Sequence, residues 1–136
     1  MNSRLGQVAG IPISLATHEE VLADVRERIV AGRPGGVISI TNTESMYHAL
    51  RKPRHLAFIR QADHSLCDGV GVIVAGWFWG LAISRYNGPI LQLDCSKRGL
   101  VEGRRHYFYG GKEGVADEMA RRLSNLYPGL EVVGTY

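Results

Sequence analysis

Short apolar runs rich in β-branched residues alternate with longer stretches of helical periodicity, and three of the runs stop at polar residues or glycine. Val37-Ile38-Ser39-Ile40-Thr41 runs into Asn42-Thr43-Glu44, and Ser65-Leu66-Cys67 meets Asp68-Gly69. His106-Tyr107-Phe108-Tyr109 meets Gly110-Gly111-Lys112-Glu113-Gly114, and Leu130 to Gly134 forms a last run. Strands joined through helices lie parallel, so this order predicts an α/β fold with a mainly parallel sheet covered on both faces, a Rossmann-like three-layer sandwich. Ahead of them, Val8 to Ser14 reads as a short extended piece or hairpin around Gly10 and Pro12.

The helices announce themselves by caps and breakers. Thr17-His18-Glu19-Glu20 matches a capping box, and Val21, Leu22, Val25, Ile29 and Val30 follow at helical spacing. A helix through Met46, Tyr47 and Leu50 opens at Asn42 or Thr43, and Pro53 starts another that ends near Ala62. Pro89 sits at the first turn of a helix reaching about Val101. Val115, Met119, Leu123 and Leu126 define the inward face of the last helix. The run from Gly69 to Ile83 is shorter than the roughly 20 residues of a membrane-spanning helix and reads as a buried helix. Its Trp77, Phe78 and Trp79 also suit a membrane surface.

At 136 residues the chain has the length of a single domain, residues 1–136, with a substantial core. The net charge of +3 comes from dispersed basic groups such as Arg51, Lys52 and Arg54, or Arg121 and Arg122. Aromatic residues do not interleave with them, which argues against a nucleic-acid module. Cys67 and Cys95 form no CxxC pair and no ligand cluster with the five histidines, so no metal is expected. A reduced, cytoplasmic protein is the default, and Met1 to Gly10 lacks the profile of a signal peptide.

In an open parallel sheet, ligands bind outside the carboxyl ends of the strands. Asn42, Asp68 and the Gly110–Gly114 turn stand at three such ends and are expected to line one crevice. The turn offers backbone N–H groups and a helix N-terminus to an anion. It is neither a P-loop nor a dinucleotide fingerprint, which disfavours a nicotinamide-dependent oxidoreductase. A carboxylate, a carboxamide and an anion-binding turn together suit transfer of a group from a nucleotide diphosphate. In that reading Asp68 acts as general base and Arg85 holds the diphosphate. The structural alternative makes Asp68 and Asn42 helix caps and Arg85 a surface cation.

Five segments in this order resemble the WecG/TagA/CpsF family of bacterial glycosyltransferases: Asn42-Thr43-Glu44, Asp68-Gly69-Val70-Gly71, Arg85 with Gly88-Pro89, Tyr107 to Ala116, and Tyr127 to Gly134. The resemblance runs from about Val8 to Tyr136. It implies an inverting, metal-independent enzyme without a cofactor. Such an enzyme moves an N-acetylmannosamine-type or related hexose from a UDP-sugar to a polyprenyl-diphosphate-linked sugar, in building cell-envelope polymers or exopolysaccharide. It implies peripheral contact with the inner face of the plasma membrane, where such acceptors lie. It assigns catalysis to Asp68 and Asn42, substrate contacts to Thr41, Gly69 and Arg85, and the nucleotide to Gly110, Gly111, Glu113 and Gly114.

Two departures from the family pattern bear on the site. Many members carry Thr two residues before the asparagine, where this chain has Ile40, and members usually carry Asp after Gly-Pro or Gly-Thr, where it has Ile90. Members also continue past the position of Tyr136 with a further strand and helices, which implies an incomplete domain here. Such a chain is expected to expose apolar surface, to leave the Leu130–Gly134 strand with an open edge and to self-associate as a homo-oligomer. A non-catalytic nucleotide-binding or oligomer-forming remnant is the alternative to an active transferase.

Overall fold

A computed structural model of the protein describes residues 4–136. Residues 1–3, which begin the segment without a signal profile, lie outside the described residues. The chain forms two compact units, Met1–Leu91 and Gln92–Tyr136. It is an α/β structure, as the alternation of runs predicts, consistent with a Rossmann-like fold. Its strands pair in twos, giving two parallel pairs and one antiparallel hairpin.

In the first unit, β1 (Leu5–Val8) and β2 (Ile11–Ser14) form the antiparallel hairpin. Its turn is Ala9-Gly10, both at positive φ, as a tight hairpin turn requires. Helix α1 (His18–Val30) starts at Thr17, which accepts a hydrogen bond from the Glu20 N–H while the Glu20 carboxylate accepts from the Thr17 N–H. The capping box read from the sequence is therefore formed. Strand β3 (Ile38–Thr41) leads through α2 (Thr43–Arg51) and α3 (Pro53–Gln61) to β4 (His64–Cys67). β3 and β4 are parallel, in register from Ile38 against His64 to Thr41 against Cys67. A bridge between Cys67 and Arg85 continues the parallel pairing on the other side of β4.

All four residues of β4 are buried, the pattern of a strand covered on both faces. On one side Cys67 joins Val8, Ile11, Ile13, Met46, Ala49, Ile59, Val72 and Ile83. On the other, Leu66 packs with Ala16, Val21 and Tyr86. The period-two alternation of a strand thus divides the unit into two apolar clusters. Among them lies a buried polar chain: Asp24 bonds His64 Nε2 at 2.8 Å, and Ser14 Oγ meets His64 Nδ1 at 3.3 Å.

Helix α4 (Val70–Phe78) corrects one expectation. It buries only Val72 and Gly76, while Val70, Val74, Trp77, Phe78 and the following Trp79 are exposed. The run is apolar all round, yet the unit covers only one side of it. Similarly, Ile29 and Val30 of α1 and Leu50 of α2 are exposed rather than in the core. No helix among the described residues is long and apolar enough to cross a membrane.

The boundary between the units falls within α5 (Gly88–Glu102), whose start is capped by Asn87 Oδ1 accepting from the Ile90 N–H at 3.0 Å. The second unit is a strand–helix–strand crossover: β5 (Arg105–Phe108), α6 (Val115–Leu126) and β6 (Glu131–Thr135), with the strands parallel. Phe108, Ala116, Leu123 and Leu130 form its core, with Met119 packed against them. Val115 and Leu126, expected to face inward, are exposed at the two ends of α6.

Candidate active site

Asp68 follows the last residue of β4. Its backbone is fixed by its own N–H, which donates to the Thr41 carbonyl at 3.0 Å. Gly69 then turns the chain at φ +119°, a conformation that would strain any other residue. Gly69, not Asp68, is the N-cap of α4, and no side chain caps that helix. The structural alternative for Asp68 therefore does not describe what its carboxylate does. That carboxylate faces Arg85 Nη2 at 3.4 Å, with the Asp68 side chain 29% and the Arg85 side chain 53% exposed.

The backbone of Arg85 is held directly by His18 and through its neighbour Tyr86. The Tyr86 N–H donates to the Cys67 carbonyl at 2.9 Å. The Tyr86 ring is buried and stacks on His18, with ring centroids 3.6 Å apart. His18 Nε2 in turn lies 3.1 Å from the Arg85 carbonyl oxygen. Beside the pair, burial pushes the Cys67 thiol up; the neighbouring Asp68 carboxylate adds to the rise and the Arg85 guanidinium opposes it. The Cys67 thiol is turned toward the Gly69 carbonyl at 3.6 Å.

Asn42 ends β3, the strand paired with β4, so it emerges at the same carboxyl edge as Asp68. Its Oδ1 accepts from the Ser45 N–H at 2.8 Å and caps α2. With the carbonyl oxygen engaged, the group left for a ligand is the Nδ2 amide, a donor suited to a phosphate or hydroxyl oxygen.

Thr41 departs from the sequence expectation of a substrate contact. Its side chain is fully buried, and its Oγ1 lies 2.8 Å from Ser65 Oγ on the neighbouring strand, with Ser39 Oγ at 3.4 Å. Strand alternation points its side chain to the opposite face of the sheet from that of its neighbour Asn42.

In the second unit, the Gly110–Gly114 turn has Gly110, Gly111 and Gly114 at φ +101°, +89° and +80°. Gly114 is the N-cap of α6, and Glu113 lies exposed in the turn just before it. The Gly110 N–H is already used, donating to the Tyr136 carbonyl at 2.8 Å. Among the described residues, no group of three or more His, Cys, Asp or Glu is arranged to hold a metal ion. A cavity of about 270 Å³ opens instead at the amino ends of β3 and β4, around Asp24, Arg28, Asp63 and His64. It is at the wrong end of the strands for the residues just described, and its ionic groups bond one another.

One family model, described as "Glycosyl transferase WecG/TagA/CpsF family", matches residues 6–136. The chain belongs to the WecG/TagA/CpsF family. It is 31% identical over 101 residues to an N-acetylglucosaminyldiphosphoundecaprenol N-acetyl-beta-D-mannosaminyltransferase of Bacillus spizizenii, a match covering 74% of the chain and 39% of the relative. It is 26% identical over 104 residues to the protein of the same name in Bacillus subtilis, covering 74% and 40%. The chain thus spans about two fifths of the length of the curated relatives it matches.

Within this WecG/TagA/CpsF chain, the first unit gathers Asp68, Gly69 and Arg85 at one strand edge, with Asn42 at the end of the paired strand. Sequence reasoning missed His18 and Ser45, which hold Arg85 and Asn42. Nothing in the sequence near His18 signals this role, because its partner lies 67 positions away.

Proposed function

We propose that the chain serves an inverting glycosyl transfer from a UDP-sugar to a polyprenyl-diphosphate-linked sugar. The donor sugar is of the N-acetylmannosamine type, after the names of the relatives. In this reading the acceptor hydroxyl attacks the anomeric carbon as Asp68 takes its proton. The bond to UDP breaks, and UDP leaves with the electron pair. Arg85 and the Asn42 amide supply positive charge and donors to the diphosphate, so neither a metal nor another cofactor is invoked. Peripheral contact with the membrane carrying such an acceptor belongs to the same proposal.

The observation that carries the reading is the Asp68 carboxylate. It stands at a strand's carboxyl end beside a guanidinium, and it caps no helix. The test is calorimetric titration of UDP, with AMP as control, followed by a transfer assay on Asp68→Asn. UDP binding should survive the substitution while transfer falls by about 100-fold or more, the share of a general base. Transfer by Asp68→Asn at the wild-type rate would overturn the assignment.

A further inference from the structure

Helices α2 and α3 meet at Lys52, which ends the first and precedes the second. The Ser45 hydroxyl and His55 Nε2, 2.9 Å apart, tie the two together. Both helices turn their inner faces to one apolar cluster, α2 through Met46 and Ala49 and α3 through Ile59. Their outer faces therefore look away from that cluster, out of the first unit. On α2 the outer face carries Tyr47, Leu50 and Arg51, and on α3 it carries Arg54 and Phe58, each set at helical spacing. Tyr47 is 50%, Leu50 63% and Phe58 50% exposed, and Arg51, Lys52 and Arg54 are exposed beside them.

The charge of this face is one-sided. No Asp or Glu stands between Glu44 and Asp63, and among the described residues Arg51, Lys52 and Arg54 have no ion-pair partner. The Arg51 guanidinium lies over the Tyr47 ring, 4.4 Å from its centroid, so its charge is held against the apolar stripe. A second copy of the chain seated here would set like charges against one another. A nucleic acid would meet the cations and leave Leu50 and Phe58 in water. Cations set between apolar side chains match a surface that offers phosphate and hydrocarbon in successive layers, the headgroup region of an anionic bilayer.

We infer that the outer face of α2 and α3 docks the first unit on an anionic lipid bilayer. This rests on the peripheral membrane contact proposed above and adds the face that makes it. Leu50, Phe58 and the Tyr47 ring enter the boundary between headgroups and acyl chains. Arg51, Lys52 and Arg54 stay at the level of the lipid phosphates, with their stems along apolar surface. The exposed stripe of α4 carries no cation, so it has no means of preferring anionic lipid.

The test is sedimentation of the full chain with vesicles of phosphatidylcholine alone and of phosphatidylcholine mixed with phosphatidylglycerol, at low and high salt. The chain should sediment with the mixed vesicles and not with phosphatidylcholine alone, and salt should release it. One cation near such a surface contributes about fivefold to partitioning, so the triple variant Arg51→Gln, Lys52→Gln, Arg54→Gln should lose about a hundredfold. Leu50→Ser with Phe58→Ser should lose about tenfold at unchanged charge. Circular dichroism melts and UDP titration of the same variants should match wild type, which separates docking from folding and from donor binding. Equal sedimentation with both vesicle types, or a folded triple variant that sediments like wild type, would overturn the face. So would a wild-type chain that sediments with no vesicle or prefers an oligonucleotide to the mixed vesicles, or docking lost in Trp77→Ser with Phe78→Ser but kept in the triple variant. UDP binding and transfer are read separately: a failed face leaves the transfer reading standing, and a chain that docks without binding UDP strikes the transfer reading alone.

Discussion

Arg85 Nη2 lies 3.4 Å from Asp68 Oδ1, and a bridge pairs the backbone of Arg85 with that of Cys67, the residue before Asp68. The charges are thus set by the fold and not by their own attraction. A pair this exposed contributes less than about 1 kcal/mol to stability, because water screens it. Arg85→Ala should therefore melt close to wild type. UDP binding should weaken clearly, since a guanidinium facing a diphosphate makes charge-assisted hydrogen bonds. Thermal melts and UDP titration on the same preparation check this. A large fall in melting temperature with unchanged binding would make Arg85 structural.

Asn42 combines a cap with a donor, and two substitutions separate them. Asn42→Asp keeps an oxygen for the Ser45 N–H and loses the Nδ2 amide, whereas Asn42→Ala loses both. The Ala variant should lose about 1 kcal/mol of stability in urea unfolding, the usual cost of an N-cap, and the Asp variant little or none. Transfer should fall in both. Activity retained by Asn42→Asp would show that only the cap matters.

Thr41 provides the opposite case. Its hydroxyl meets Ser65 in a fully buried setting, so Thr41→Val leaves Ser65 without that partner and should cost about 1–3 kcal/mol. UDP affinity at a temperature where the variant is folded should equal that of wild type. A stable Thr41→Val chain with impaired binding would return Thr41 to the substrate.

These residues also mark what the sequence could and could not disclose. Local signals were readable: the Thr17–Glu20 capping box, Pro53 at a helix start, and Asp68-Gly69 as a strand end followed by a sharp turn all have short-range causes. Periodicity groups residues by helix face, but it does not say whether another element covers that face. That is why Val30, Leu50, Val115 and Leu126 are exposed and why α4 is half bare. Strand alternation distinguishes Thr41 from Asn42 but cannot reveal Ser65 as its partner, 24 positions on. The three strand ends expected to line one crevice belong to two strand pairs, β3 with β4 and β5 with β6, and pairing is a long-range property.

The second unit should carry its own pH response through His106. Burial holds its imidazole below the ordinary histidine value of 6.5, and the Arg104 guanidinium lowers it further. Packing there is close, for a Cβ added at Gly99 would clash with His106 Nε2. The unfolded chain takes up a proton near pH 6.5, and the folded chain resists it until a lower pH. His106 therefore contributes stability that is fully present above about pH 6.5 and is lost as the pH falls toward the lowered folded value. Melting temperatures of wild type should drop between pH 7.5 and 5.5, and His106→Gln should drop less over the same range. The difference between the two curves isolates this residue from carboxylates that titrate lower. Parallel curves would mean that His106 takes up its proton as readily in the folded chain as in the unfolded one.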